Sequence, residues 1–346
     1  MKLLVSALEP SSNLHLREVL KHTDNVELLG IFDKNIPHGT PLYDISQMAI
    51  MGVVDALKKI RWFFKVAEEM VTLAQEADKI LLMDSSGFNL PLAKKLKTAY
   101  PEKEILYYIL PQVWASRPKR VKKLEKYCDR LLGILPFECA YYPHHTAQYA
   151  GHPLLDEISH SHNATSQTIA FMPGSRKSEI GRLLPLFKAV RARLPEKKAL
   201  LIIPAGFSKE KIDSWYDDIS MFEIARETQT ALAHSEFAFI CSGTATLEAA
   251  LIGTPFTLAY IAKKIDYFIA FRLLGITRIG LANIILEHHD NSTLHHELLQ
   301  EAVTVDNLLL EYYNTDRKKF SEKARALRNY LGHGSSRNVA TLLMEE

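Results

Sequence analysis

Two stretches of this chain carry residue types that can handle a phosphate: Met172-Pro173-Gly174-Ser175-Arg176-Lys177-Ser178-Glu179 and Ser242-Gly243-Thr244-Ala245-Thr246-Leu247-Glu248. Each follows a short apolar run and leads into a stretch of helical period. A strand that opens through Gly and Ser into a helix gathers free backbone N–H groups and the positive end of the helix dipole at one point, where an anion sits. Arg176 adds a guanidinium able to hold two phosphate oxygens, and Ser175 adds a hydroxyl. Glu248 lies one helical turn beyond Thr244 on the same face, where its carboxylate can accept both hydroxyls of a ribose. The plainer readings are an ordinary strand-to-helix turn with a surface Arg, and a solvated helix Glu. Taken together, the two loops read as a site for a nucleoside diphosphate. The Gly-x4-Gly-Lys spacing of a Walker loop is absent.

Asp84 ends the apolar run Lys79–Met83 and precedes Ser85-Ser86-Gly87-Phe88-Asn89. A carboxylate at the carboxyl end of a central strand can act as a general base; it can equally be a helix N-cap. Glu9, after the first apolar run and before Pro10, offers the same choice between a site carboxylate and a turn residue. The segment from Met48 to Met70 is apolar on more than one stripe, with Trp62, Phe63 and Phe64 interleaved with Lys58, Lys59, Arg61 and Lys65. That composition suits a helix in a lipid headgroup layer, and also a core helix whose lysines snorkel. The basic run from Arg117 to Lys123 could meet an anionic lipid or a phosphorylated acceptor, or form a solvated helix face. The paired histidines His144-His145, His160/His162, His288-His289 and His295-His296 lack ligand spacing and read as surface residues, so no metal or other cofactor is expected.

The elements that must hold these residues follow from alternating strand and helix signals. In the first half the strands are expected at Lys2–Ser6, Val26–Phe32, Lys79–Met83, Glu104–Leu110 and Arg130–Leu135. The second half repeats the pattern at Thr168–Met172, Ala199–Pro204, Glu236–Cys241 and Phe256–Tyr260. The polar stretch from Asp156 to Ser166 reads as a linker. The expected architecture is therefore α/β: two doubly wound, Rossmann-like domains facing a cleft, with ligands beyond the carboxyl ends of the strands. The expected bounds are residues 1–160 and 166–325, followed by a C-terminal helical segment, 326–346, with Ser335-Ser336 as its cap.

The 346 residues suffice for two cores, and a net charge of +2 gives no global field that would demand nucleic acid. The three cysteines are too far apart for a disulfide framework or a zinc site, which suits a reducing cytoplasm. No apolar run is long enough to span a bilayer.

In order and spacing the motifs resemble those of the lipid-A-disaccharide synthase family. The resemblance rests on Pro173-Gly174-Ser175-Arg176 with Glu179, Ser242-Gly243-Thr244-Ala245 with Leu247-Glu248, Val113-Trp114-Ala115 with Lys119-Arg120-Val121, Leu135-Pro136-Phe137-Glu138 and Gly151-His152. Met51-Gly52-Val53-Val54 and Glu297-Leu298-Leu299-Gln300 add to it. The resemblance implies a GT-B architecture, with the C-terminal helix returning to the first domain or to a partner chain, and inverting transfer of 2,3-diacylglucosamine from its UDP derivative to 2,3-diacylglucosamine 1-phosphate. It implies Asp84 as general base and Arg176 on the diphosphate. Gly174, Ser175, Glu179, Ser242, Gly243, Thr244, Glu248 and Asn283 fall around UDP; Glu9, Ser11 and Asn89 fall on the acceptor side. Trp62, Phe63 and Phe64 would touch the anionic inner leaflet at the cytoplasmic face of the inner membrane. Homo-oligomerisation stays open. The departures gather in the acceptor half: Leu8-Glu9-Pro10-Ser11-Ser12-Asn13 stands where Gly-Glu-x-Ser-Gly-Asp is usual, and Gly87 where a second Asp is usual. Alternatives are another UDP-sugar enzyme of the same fold, such as an epimerase or a peptidoglycan-type transferase, or a non-catalytic nucleotide-binding protein of the membrane surface.

Overall fold

The structure is a computed structural model and describes residues 1–47, 56–143, 147–163, 167–263 and 277–345. The chain divides into two compact units. Unit 1 comprises Met1–Glu157 together with Leu331–Glu346, and unit 2 comprises Ile158–Tyr330.

Unit 1 is built on a parallel six-stranded sheet in the order β2-β1-β3-β4-β5-β6. The strands are β1 (Lys2–Ala7), β2 (Glu27–Ile31), β3 (Lys79–Met83), β4 (Ile105–Tyr108), β5 (Arg130–Gly133) and β6 (Ala147–Tyr149). Its near-continuous apolar strands follow from burial on both faces. Leu4, Ile80, Leu82 and Tyr107 enter one core; Leu3, Val5, Leu81, Met83 and Tyr108 enter the other. Helix α1 (Pro10–Leu20) follows β1, α2 (Ala56–Leu73) precedes β3, α3 (Ser86–Ala99) follows it, α4 (Arg120–Tyr127) precedes β5, and α5 (Pro153–Glu157) closes the run.

Unit 2 repeats the plan with the order β12-β11-β10-β7-β8-β9, again all parallel. Its strands are β7 (Thr168–Met172), β8 (Lys198–Ile202), β9 (Glu223–Ala225), β10 (Phe237–Cys241), β11 (Phe256–Tyr260) and β12 (Glu297–Leu299). Helices α6 (Lys177–Ala192), α7 (Lys209–Trp215), α8 (Thr228–Ala233), α9 (Thr244–Ile252), α10 (Leu281–Asp290), α11 (Val305–Asn314) and α12 (Arg317–Leu331) complete it. Phe171, Phe187 and Phe239 centre the core, with Phe171 and Phe239 stacked at 5.4 Å.

The sequence-based strands are all present, with ends that match or differ by one or two residues. Three were missed: β6, β9 and β12, each of three residues and each at a sheet edge. The stretch read as a linker is partly ordered. Asp156 and Glu157 belong to α5, while His162 N–H donates to Ile252 O at 2.9 Å and Asn163 N–H to Ala233 O at 2.9 Å, both within unit 2.

The last helix, α13 (Ser335–Met344), packs on unit 1, where Val339, Ala340 and Leu343 are fully buried with Leu3, Val5 and Leu16. The expected cap by Ser335-Ser336 is corrected: those residues form the first turn, after Gly334. The capping oxygens come from Asp156, which accepts from Gly334 N–H and Ser336 N–H, both at 2.8 Å. Ser335 instead meets the Tyr108 hydroxyl at 2.9 Å.

Candidate active site

In each sheet the chain changes direction once, and this switch fixes where a ligand fits. In unit 1 the switch lies between β1 and β3, whose carboxyl ends lead into Glu9 and Asp84. In unit 2 it lies between β7 and β10, whose carboxyl ends lead into the Gly174 and Gly243 loops. Each switch point opens into a cavity within its own unit.

The unit 1 cavity is about 650 Å³ and is lined by Glu9, Asp84, Ser85, Phe63, Phe64, Phe88, Arg117 and Arg120 among others. Asp84 and Ser85 are both left-handed, with φ +48° and +38°. Two consecutive non-glycine residues there cost of order 1–3 kcal/mol each and persist only when the surroundings dictate them. Asn89 supplies much of that dictation. It is fully buried; its amide donates to Met83 O at 2.9 Å and Asp84 O at 3.0 Å, while its oxygen accepts from the Ser6 hydroxyl at 2.6 Å. The Tyr107 hydroxyl also donates to Asp84 O. Burial pushes the Asp84 carboxyl above its ordinary value, against the opposing pull of the Ser85 N–H. Glu9 is exposed, and its carboxylate accepts from the Ser85 hydroxyl at 3.4 Å. Two residues expected on the acceptor side lie away from the cavity surface. Asn89 is walled off from any ligand and acts on Asp84 from behind, and Ser11 lies exposed on α1 outside the cavity lining.

The unit 2 cavity is about 450 Å³ and brings Gly174, Ser175, Arg176 and Glu179 together with Ser242, Gly243, Thr244 and Glu248. The two loops are not equivalent. The buried Glu179 carboxylate folds back under the first: it accepts from Ser175 N–H and Arg176 N–H, both at 3.2 Å, and pairs with the Arg176 guanidinium at 2.6 Å. Gly174, at φ +107°, makes room for this, since a Cβ there would lie 2.6 Å from Glu179 Oε2. Glu179 thus caps the first loop from below while still lining the cavity. Arg176 keeps its side chain 76% exposed, so its guanidinium remains available to an incoming anion. At the second loop, among the described residues, the Thr244 and Ala245 N–H groups make no hydrogen bond within the protein, and they point the dipole of α9 at the cavity.

Asn283, expected near the nucleotide, does not line this cavity. It is fully buried and all its hydrogen-bonding capacity is used, donating to His295 O (2.9 Å) and Glu297 Oε1 (2.8 Å) and accepting from Leu294 N–H (2.8 Å) and His295 N–H (3.2 Å). It ties α10 to the approach of β12 and has nothing left for a nucleotide.

The aromatic segment is split. Val66, Ala67 and Met70 place α2 on the sheet, and Trp62 and Phe63 are half-buried in a chain of ring contacts from Tyr43 to Phe88. Phe64 alone of the three expected membrane residues is exposed, at 58%. The apolar stretch from Met48 to Asp55 lies outside the described residues, as do His144 and His145. His295 is buried against Phe256 at 4.3 Å and His162 is half-buried on Ser235 O, so neither is a surface residue. Sequence reasoning did not find Glu138 or Asp156 as structural carboxylates. Glu138 is buried, accepts from Ile134 N–H and Leu135 N–H, and is pushed up to about 7 by desolvation. A Glu shortly after a strand end, beside Pro136 and Phe137, is the signal that was available. Asp156 left no local signal, because its partners lie just over half the chain away.

Two parallel doubly wound sheets, each with a loop-lined cavity at its switch point, define a GT-B protein, the architecture of many nucleotide-sugar enzymes. The solved structure of UDP-GlcNAc 2-epimerase from Neisseria meningitidis bound to UDP-GlcNAc shares it, with a TM-score of 0.63 over 100% of both chains at 11% identity, a likeness of fold alone. More specifically, the chain belongs to the lipid-A-disaccharide synthase family of glycosyltransferases: the family model for lipid-A-disaccharide synthetase matches residues 3–345. It is 47% identical to the lipid-A-disaccharide synthase of Helicobacter pylori, over 98% of this chain and 96% of that one. It is 44% identical to that of Campylobacter jejuni, over 99% of both. Among the described residues no helix is long and apolar enough to cross a membrane.

Proposed function

We propose that the protein transfers 2,3-diacylglucosamine from UDP to the 6-hydroxyl of 2,3-diacylglucosamine 1-phosphate, with inversion. The unit 2 cavity takes UDP: the Thr244 and Ala245 N–H groups and the Arg176 guanidinium meet the diphosphate, with Ser175, Ser242 and Gly243 beside it, and Glu248 meets the ribose. The unit 1 cavity takes the acceptor. Asp84 accepts the proton of the 6-hydroxyl while that oxygen bonds to the anomeric carbon. The bond from that carbon to the β-phosphate oxygen breaks, and UDP leaves with the electron pair. Donors already aimed at the leaving diphosphate are worth roughly 3–4 kcal/mol for one well-placed group. Glu9, linked to Ser85, supports the turn that carries the base. Phe63, Phe64 and Phe88 give the acyl chains an apolar wall. Phe64, with the exposed Arg61 and Lys65 on the same helix, suits contact with an anionic inner-leaflet surface at the cytoplasmic face.

The observation that carries this reading is Asp84 itself: a carboxylate desolvated toward a usable basicity, at a switch point, on a doubly left-handed turn, in a cavity with both aromatic and cationic walls. Asp84→Asn keeps the shape and suits the left-handed turn. It should lose about 10²–10⁴-fold in kcat while retaining UDP binding and fold. Turnover by this variant within a few-fold of the parent would remove Asp84 as the base. The epimerase alternative has only the shared fold behind it, whereas the transferase reading has family membership over the whole chain.

A further inference from the structure

The unit 1 cavity holds three cations, and they are not alike. Lys95 is paired with Glu68 on the neighbouring helix. Arg117 and Arg120, unlike Lys95, have no carboxylate partner among the described residues. Arg117 is exposed and Arg120 half-buried, so both guanidiniums can meet a dianion that enters the cavity. Their backbone is arranged for the purpose. Arg117 is left-handed at φ +56° directly before Pro118, a position where extended geometry is the norm. Its carbonyl accepts Arg120 N–H at 3.0 Å, at the start of α4, so the two residues stand on one turn of backbone. The same cavity carries Asp84 and Glu9.

We propose that Arg117 and Arg120 grip the phosphate monoester of the acceptor sugar and thereby select a phosphorylated acceptor over its unphosphorylated counterpart. This rests on the reading of the unit 1 cavity as the acceptor site. A phosphate monoester carries close to two negative charges and three acceptor oxygens, which two guanidinium forks can satisfy in parallel. The carboxylates repel the same group, so the sugar enters in one orientation, with a hydroxyl rather than the phosphate toward Asp84.

The test is steady-state kinetics of full-length Arg117→Ala, Arg120→Ala and Arg120→Lys with 2,3-diacylglucosamine 1-phosphate and, separately, with 2,3-diacylglucosamine lacking the phosphate. Binding to phosphatidylglycerol vesicles is measured in parallel. Each Ala variant should raise acceptor KM about 10–100-fold, leave donor KM unchanged, and shrink the preference for the phosphorylated acceptor by the same factor. Arg120→Lys should fall between, having the charge without the fork. Vesicle binding should stay as in the parent. An unchanged preference in both Ala variants overturns the proposal. So does a loss confined to vesicle binding, which would assign the arginines to lipid headgroups. Asp84→Asn separates the two readings: activity retained there sinks the base, while the preference ratio still reports on the arginines.

Discussion

Asp84 is held by its backbone and left relatively free at its carboxylate, which is what a base requires. The carbonyl is gripped by Asn89 and Tyr107, so the turn cannot relax, while burial alone raises the carboxyl. The sign of the resulting pH dependence follows. A base works ionised, so kcat/KM should fall as pH drops through the raised value of Asp84, giving an acid limb above the ordinary value of an aspartate. That limb should vanish from the residual rate of Asp84→Asn, and a limb at an ordinary carboxylate pKa would contradict the burial argument. Linkage runs the other way for stability. A carboxyl raised in the folded state stabilises the fold below its unfolded value and ceases to as pH rises through the folded one. At neutral pH, therefore, Asp84→Asn should melt no lower than the parent. The same scale shows what the sequence could not settle. Asn89 and Asn283 carry amides as suited to a ligand as to a backbone, and only complete burial with every donor and acceptor taken assigns them to the backbone. Glu179 was closer to legible, since a Glu in the first turn of a helix often reaches back to the N–H groups before it.

Among elements, long and strongly apolar strands were readable, and they are the ones that place Asp84 and the two glycine loops. The three-residue edge strands were not, because alternation needs more residues than that to register. The start of α13 was unreadable for another reason. Its local sequence offers Ser335 and Ser336, but the oxygens that satisfy its first N–H groups belong to Asp156, in α5. Asp156→Ala strips two donors of their partners at once and should cost about 1–2 kcal/mol, the upper part of the range for a lost cap. Thermal unfolding should show it as a lower midpoint, and hydrogen exchange should localise the loss to residues 334–338. Asp156→Asn, which keeps one acceptor, should recover part of the difference. An Ala variant as stable as the parent would mean that apolar packing alone holds α13.

At the scale of the whole molecule, unit 2 is one continuous stretch and unit 1 is not. Val339, Ala340 and Leu343 cover Leu3, Val5 and Leu16, residues from the opposite end of the sequence. Ending the chain at Tyr330 should therefore expose the apolar face of the first sheet. Increased binding of a hydrophobic dye and rapid proteolysis within residues 1–157 are expected, with residues 158–330 still protected. A truncated protein with native near-ultraviolet circular dichroism and parent-like protease resistance would show that the sheet does not need its last helix. The apolar stripe of that helix says that it packs and not on what; the first domain or a partner chain was implied only by the family resemblance.

This discontinuity also sets an order of events on the ribosome. The first sheet emerges early yet cannot be sealed until α13 has been made. At about 5–20 residues per second, the intervening chain takes roughly 10–40 s to appear. Through that interval unit 2 acquires its full complement of residues while the earlier-made unit keeps an apolar face uncovered. For a nascent chain of this kind, the window of greatest exposure to chaperones, proteases and misassembly falls on the half made first.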